Sequence, residues 1–305
     1  MRVIDIVRFN IQRKIVASQT VASWQNIPHV SYIFEPDVTD FIEKYNEFKK
    51  TLPEDLHITL NTVIVKAITE GLKAAPKMNA HLHYEPKLVR GKFTTYDNID
   101  VSMPWILPNG EMMTINMRDM GNRSLTNITN YMKKTQARLE KTNLQEAMYQ
   151  VSLDNTLQNL QKGRFVQSIA RLIGSKTQKR HRVSPLKGDE KKAYDMIPDS
   201  EKITKHNLEP GTITISNVGA LTRGNPGKIA MLMIIPPQVC AIGLGAVTKT
   251  PIVAQDENGK DYIKIAQILP MNICFDHRAM DFGDIKPFMD RLREIFDNPE
   301  TLLVP

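Results

Sequence analysis

At 305 residues with 41% hydrophobic residues, the chain is long enough to bury a full-sized core, as one large domain or two smaller ones. No apolar run approaches the ~18–20 residues of a membrane span, and the opening MRVIDIVRFN interrupts its apolar residues with charge, unlike a secretory signal. The net charge of +7 is local: residues 162–192 hold ten Lys or Arg against two acids, a local +8, which leaves about −1 for everything else. The two cysteines, Cys240 and Cys274, sit in strand-like apolar runs and make no disulfide framework, which places the chain in a reducing cytoplasm.

In chain order, HVSYIFEPDV (29–38) reads as a strand that ends near Pro36. Thr39 or Asp40 caps a helix whose Phe41, Ile42, Tyr45 and Phe48 recur at helical spacing. A second helix carries Ile64, Ala67, Ile68 and Leu72 and stops before Pro76. DNIDVSMPWI and EMMTINMRDM read as strands around an Asn109-Gly110 turn, and Ser124 or Thr126 starts a helix that runs to about Lys141. GTITISNVG, PQVCAIGLGAV, PIVAQDENGKDYIKIAQILP and MNICFD are four strand-like runs, the third folded at Glu257-Asn258-Gly259. A last helix, at about 284–297, sets Ile285, Phe288, Met289, Leu292, Ile295 and Phe296 on one face. Helices gather early and strands late, as in an α+β sandwich with a mostly mixed sheet. No internal repeat is present.

The segment from about 145 to 205 breaks this rhythm, being basic and interrupted by glycine and proline. Phe165, Ile169, Leu172 and Ile173 share a helical face there, with basic residues turned elsewhere. Two readings stand: a helix packed on its own protein and followed by a solvated loop, or a basic surface for an acidic partner or an anionic membrane. Nucleic acid is disfavoured, because no recognition motif accompanies the charge.

Glycine-rich lures carry little. GALTRGNPGK lacks the phosphate-loop spacing and GLGAV lacks a third glycine. The seven histidines are dispersed, without a Cys/His cluster, so no metal is expected. The informative stretch is ICFDHRAMDFGDI (273–285). If NICFD is a strand, Cys274 and His277 fall on opposite faces, which removes a Cys–His pair, while Ile273 and Phe275 share the face of His277. An imidazole among apolar neighbours keeps its neutral, basic form, as a general base requires and as a buried structural histidine also does. Asp281, four residues on, can stiffen the turn by pairing with an arginine. On the residues alone the catalytic and structural readings of His277 stand level.

SWQNIPHV (23–30), TISNVGA (214–220), CAIGLGAVTKTPIV (240–253) and DHRAMD (276–281), followed by FMDRLREIFDNPETLL, occur in one order. Together, over residues 8–144 and 206–303, they resemble the catalytic domain of the dihydrolipoamide acyltransferases of 2-oxo acid dehydrogenase complexes, itself similar to chloramphenicol acetyltransferase. The resemblance implies an α+β sandwich of that type, coenzyme A or acyl-CoA as substrate, and no metal. It implies that His277 is the general base that takes the thiol proton, that Ser216 hydrogen-bonds the oxyanion of the tetrahedral intermediate, and that Asp281 anchors the catalytic turn through an ion pair. It also implies a homotrimer whose base and serine come from adjacent subunits.

Three departures from the family pattern stand out. Phe282 occupies the place of the motif glycine, with Gly283 one position late, and a glycine there can take backbone angles that strain phenylalanine. EMMTINMRDM replaces a Val-Pro-Val stretch beside the substrate channel. The expected organisation is one acyltransferase domain over 1–305 with the basic insertion at about 145–205, without a lipoyl domain, a covalently bound lipoyl group or a peripheral subunit-binding domain. The acceptor is then a lipoyl or acidic carrier domain on another chain, or a different thiol, amine or hydroxyl, with 162–192 as a route to that carrier or to a membrane periphery. The competing reading is a non-catalytic trimeric scaffold derived from the same core.

Overall fold

The computed structural model describes residues 2–304 apart from 8, 108–111, 152–184, 223 and 226. The Asn109-Gly110 turn and the face formed by Phe165, Ile169, Leu172 and Ile173 lie outside the described residues. Helix α1 (Ile11–Asn26) leads into β1 (His29–Phe34), and α2 (Thr39–Thr51) and α3 (Leu60–Ala74) follow. A hairpin of β2 (Ala80–Glu85) and β3 (Arg90–Thr95) precedes β4 (Val101–Ile106), β5 (Met112–Met117) and α4 (Leu125–Glu140). Beyond a helical stretch at 144–151, α5, and a short helix α6 (Gly188–Asp195), the chain forms β6 (Ile213–Asn217) and β7 (Cys240–Leu244). The hairpin β8 (Thr248–Gln255) and β9 (Asp261–Ile268), then β10 (Met271–Asp276) and α7 (Phe282–Asp297), complete it.

Six strands form one mixed sheet in the order β1-β10-β7-β6-β4-β5, the α+β arrangement expected. β6 runs parallel to β4 and β7, and the remaining neighbours are antiparallel. Pro104 fits inside β4 because pairing with β6 covers only Val101 and Ser102, so no ladder bond is lost at the missing N–H.

The two faces of this sheet differ in chemistry. Ile213, Ile215, Cys240, Ile242, Leu244, Met271, Ile273 and Phe275 turn to one side and form the core with α3 and α7. The alternate residues Ser31, Thr214, Ser216, Asn272, Cys274 and Asp276 turn to the other. Residues 228–235 run across that polar side without regular secondary structure and satisfy it with their backbone. The Asn272 amide donates to Ala230 O at 3.1 Å and the Leu232 N–H donates to Cys274 Sγ at 3.2 Å. α1 holds this cover down, the Ser23 hydroxyl donating to Ile234 O at 2.6 Å. All six residues of β10 are therefore buried, polar and apolar alike.

Helices α3 and α7 pack so closely that a Cβ on Gly71 would lie 2.8 and 2.9 Å from two ring carbons of the fully buried Phe288. Gly71→Ala gains about 1 kcal/mol of helix propensity but overpacks a site that costs typically 1–3 kcal/mol to expand. The buried ring has no free volume into which to turn, so the steric cost wins. We expect a lower urea midpoint at an unchanged slope, and a higher midpoint would show that the α3–α7 contact is looser than this.

Candidate active site

Strand β10 ends at Asp276, where the chain turns across the bottom of the sheet. The Asp276 carboxylate is 1% exposed, so it has to be neutralised and hydrogen-bonded where it stands. Arg278 supplies this through two nitrogens, Nη2 at 2.6 Å from Oδ2 and Nε at 2.9 Å from Oδ1, and its backbone N–H donates to Oδ1 at 2.9 Å. The guanidinium carbon lies 5.2 Å from the centre of the Tyr84 ring on β2. Planar, bidentate pairing of this kind fixes orientation as well as charge.

His277 is thereby presented between two anchored neighbours, with its own N–H donating to Pro28 O at 3.0 Å. Its Nδ1 is 3.2 Å from Met280 O and 3.3 Å from Asp281 Oδ1. A carbonyl and a carboxylate only accept, so in the neutral imidazole Nδ1 carries the proton and Nε2 the lone pair. The apolar surroundings expected for His277 reduce to one ring. Phe275 lies edge-on with centroids 6.0 Å apart, while the His277 side chain is 50% exposed because β10 has already ended.

Asp281 caps α7 and is largely exposed, and among the described residues no arginine pairs with it. Its neighbour is the His277 ring itself, and the anchoring ion pair expected of Asp281 is made instead by Asp276 and Arg278. The Asp281 N–H donates to Asp284 Oδ2 at 3.0 Å, and Lys77 binds the other oxygen of Asp284 at 2.8 Å, which holds that carboxyl below its usual range. Phe282 is the first residue of α7 and does not have a positive φ. The strain expected from losing the motif glycine is absent, and Gly283 faces open space.

Ser216 is 8% exposed near the end of β6. It shares a row of the sheet with Gly243 and Asn272. A Cβ on Gly243 would fall 2.9 Å from Ile229 Cδ1, so the covering segment packs directly beside the serine. Among the described residues the Ser216 hydroxyl has no hydrogen-bond partner. His277 stands five residues beyond Asn272 along β10 and two strands away from β6, about 16 Å along the strands and about 10 Å across them. One copy of the chain therefore keeps these two side chains at opposite ends of the sheet.

His29 is the polar residue nearest this turn that sequence reading missed. It donates from Nδ1 to Ile27 O at 2.8 Å and accepts from the Ile234 N–H at Nε2, 3.1 Å away. Burial pulls its pKa below the ordinary imidazole value, partly opposed by the bond to Ile27. Both ring nitrogens are engaged, so it is an organiser of the covering segment. Cys274 is also engaged, donating to Asn272 Oδ1 at 3.0 Å, and burial raises its thiol pKa, which agrees with its exclusion as a nucleophile.

The catalytic-domain model of the 2-oxoacid dehydrogenases acyltransferases matches residues 4–160 and 194–304. The chain belongs to this family. It is 24% identical over 294 residues to the dihydrolipoyllysine-residue acetyltransferase component of the pyruvate dehydrogenase complex of Rickettsia prowazekii, covering 96% of this chain and 54% of that protein. The Staphylococcus epidermidis counterpart is 22% identical over 293 residues, covering 96% and 51%. The chain thus spans about half the length of these relatives. In fold it is similar to a probable dihydrolipoamide acetyltransferase of Listeria monocytogenes, with TM-score 0.61, 18% identity and coverage of 96% and 94%. It is also similar to the dihydrolipoamide acetyltransferase of Azotobacter vinelandii, with TM-score 0.62, 17% identity and coverage of 99% and 94%. That enzyme was studied for the catalytic role of a serine, a histidine and an asparagine four residues after the histidine.

Breaking the Asp276–Arg278 pair tests what presents the family motif. Arg278→Ala leaves a buried carboxylate alone, which typically costs 3–5 kcal/mol. We expect a clear loss of thermal stability, and Arg278→Lys to recover only part of it because an ammonium cannot span both oxygens. Full recovery by lysine would mean that charge alone, without the fork geometry, holds the turn.

Proposed function

We propose that this chain transfers an acyl group between coenzyme A and a thiol acceptor of the lipoyl type, with His277 as general base and Ser216 as oxyanion donor. The observation that carries the reading is the tautomer of His277: Met280 O and Asp281 hold the proton on Nδ1, and the free Nε2 is on a half-exposed ring. Nε2 takes the proton from the attacking thiol, and the thiolate adds to the thioester carbonyl. The charge that develops on the carbonyl oxygen is met by the Ser216 hydroxyl, which has no competing partner among the described residues. Collapse of the tetrahedral intermediate expels the other thiolate, which recovers the proton from His277. Asp281 acts as a positioning residue, in the place where the Azotobacter enzyme has an asparagine at the same spacing.

The separation of Ser216 from His277 within one chain supports a homotrimer in which each site takes its base from one copy and its serine from the next. Single substitutions and their mixture test both points at once. His277→Ala should lower turnover of acyl-CoA with a thiol by about 100- to 10,000-fold. Ser216→Ala should lower kcat by an amount equivalent to about 2.7–4 kcal/mol, with KM nearly unchanged. Co-assembled at equal amounts, the two inactive proteins should regain about a quarter of the sites in a ring of mixed subunits. No regain would place both groups in one chain and overturn the shared site. Full activity in His277→Ala would overturn its role as the base, and absence of acyl transfer by the wild-type protein would leave the scaffold.

The same reading assigns the basic run 162–192 to docking of an acidic carrier in a reducing, cytoplasmic setting. Its deletion should spare transfer to a small thiol and weaken use of a carrier-borne one, with a difference that shrinks as salt rises through the ~8–10 Å screening range. Equal use of the carrier by both proteins at low salt would remove that role.

A further inference from the structure

Phe282 is the place where this chain leaves its family's motif, and its surroundings give that residue a function. The ring is 50% exposed although it lies at the start of a helix beside a large core. Its centroid is 5.4 Å from Phe275 and 5.8 Å from Tyr32, both edge-on at 85° and 82°. Phe275, fully buried, is the same ring that lies edge-on to His277. Tyr32 belongs to β1, the edge strand of the sheet, and is 38% exposed. Four rings thus run from the sheet edge to the imidazole, the outer two open to solvent and Phe275 bridging them to His277.

We propose that Tyr32 and Phe282 form an apolar wall that receives the hydrocarbon chain of the thiol acceptor, making Phe282 a specificity-determining residue. This rests on the acyltransfer reading above and adds to it which part of which substrate lies there. The wall belongs to the copy that supplies the base, whereas the oxyanion donor of that copy lies at the far end of its sheet. With an acyl-CoA as donor, the acceptor is the molecule whose thiol proton faces His277, and the part of it touching the wall adjoins the sulfur. Among the described residues, Lys77 and Lys286 of this region are engaged by Asp284 and Asp290, and the exposed Asp281 carboxylate repels anions. A neutral alkyl chain next to the thiol fits this surface, and a polar or anionic one does not. Glycine at position 282 offers no such contact. Nor does the backbone require phenylalanine, since the φ is ordinary for any residue.

The test compares two neutral dithiols, dihydrolipoamide with its alkyl chain and dithiothreitol with its hydroxyls, as acceptors for acetyl-CoA. In Phe282→Gly the KM for dihydrolipoamide should rise about tenfold more than the KM for dithiothreitol, with the kcat ratio nearly constant, because the contact is made in the ground state as well as the transition state. Phe282→Leu should keep most of the wild-type preference, which separates loss of apolar contact from damage to the helix start. An equal shift of both KM values, or a gain for dihydrolipoamide, overturns the wall. Wild-type turnover with either thiol judges the acyltransfer reading by itself. If there is none, calorimetric titration with dihydrolipoamide makes the same comparison, and unchanged affinity in Phe282→Gly overturns the proposal.

Discussion

A carboxylate buried to 1% exposure at the end of a central strand is the constraint on which this site depends. Asp276 ends β10, all six of whose residues are buried. The desolvation cost of its charge is offset only by a partner of fixed geometry, and Arg278 is close enough in sequence to supply one. Once that pair closes, residues 276–278 are no longer a loop with choices. His277 lies between the two partners, its N–H goes to Pro28, and Nδ1 is delivered to Met280 O. The tautomer of the imidazole is thus a consequence of how a neighbouring acid is neutralised.

The same strand explains why the two faces of the sheet behave so differently. Met271, Ile273 and Phe275 join the α3–α7 core, where close packing is enforced by Gly71 against Phe288. Asn272 and Cys274 face an irregular segment instead, and an irregular segment has unpaired backbone groups to give. Ala230, Leu232 and Ile234 each spend one on this face. A helix laid there would have satisfied its own backbone and left the polar row buried without partners. The missing regular structure at 228–235 is therefore what a polar sheet face requires, and His29 and Ser23 are the residues that stitch it down.

Much of this was legible in the sequence, for definable reasons. The α7 face was visible because Ile285, Phe288, Leu292, Ile295 and Phe296 recur at helical spacing and are all buried. The order of the blocks around TISNVGA and DHRAMD carried the family. Helix α1 was invisible because Ile15, Val16, Val21 and Trp24 are scattered around it and exposed, so no stripe forms. What starts it is local, the Asn10 side chain accepting the Arg13 N–H. The β2–β3 hairpin was missed because its connection runs through Pro86–Leu88 and a left-handed Val89, φ 48°, where a turn signal would place Gly or Asn. The pairing of Asp276 with Arg278 gave no signal either, because residues two apart share a face in any strand and spacing alone does not mark a pair. An arginine partner was expected for Asp281, without a position, and the arginine of this turn pairs with Asp276 instead.

The position of Ser216 follows from strand direction alone. β6 runs parallel to β7 and β7 antiparallel to β10, so the end of β6 and the end of β10 point to opposite ends of the sheet. A serine near the end of the one and a histidine just past the end of the other are kept apart by the register, and no side-chain rotation spans that gap. Hinge motion offers no escape, because both strands belong to one continuously bonded sheet whose ladders would have to break. For chemistry that needs a base and an oxyanion donor around one thioester, the remaining route is a second copy that brings its β6 end to the β10 end of the first. Under the proposed acyl transfer, the catalytic unit would be set by sheet topology before any substrate arrives, and each copy would contribute half of two different sites.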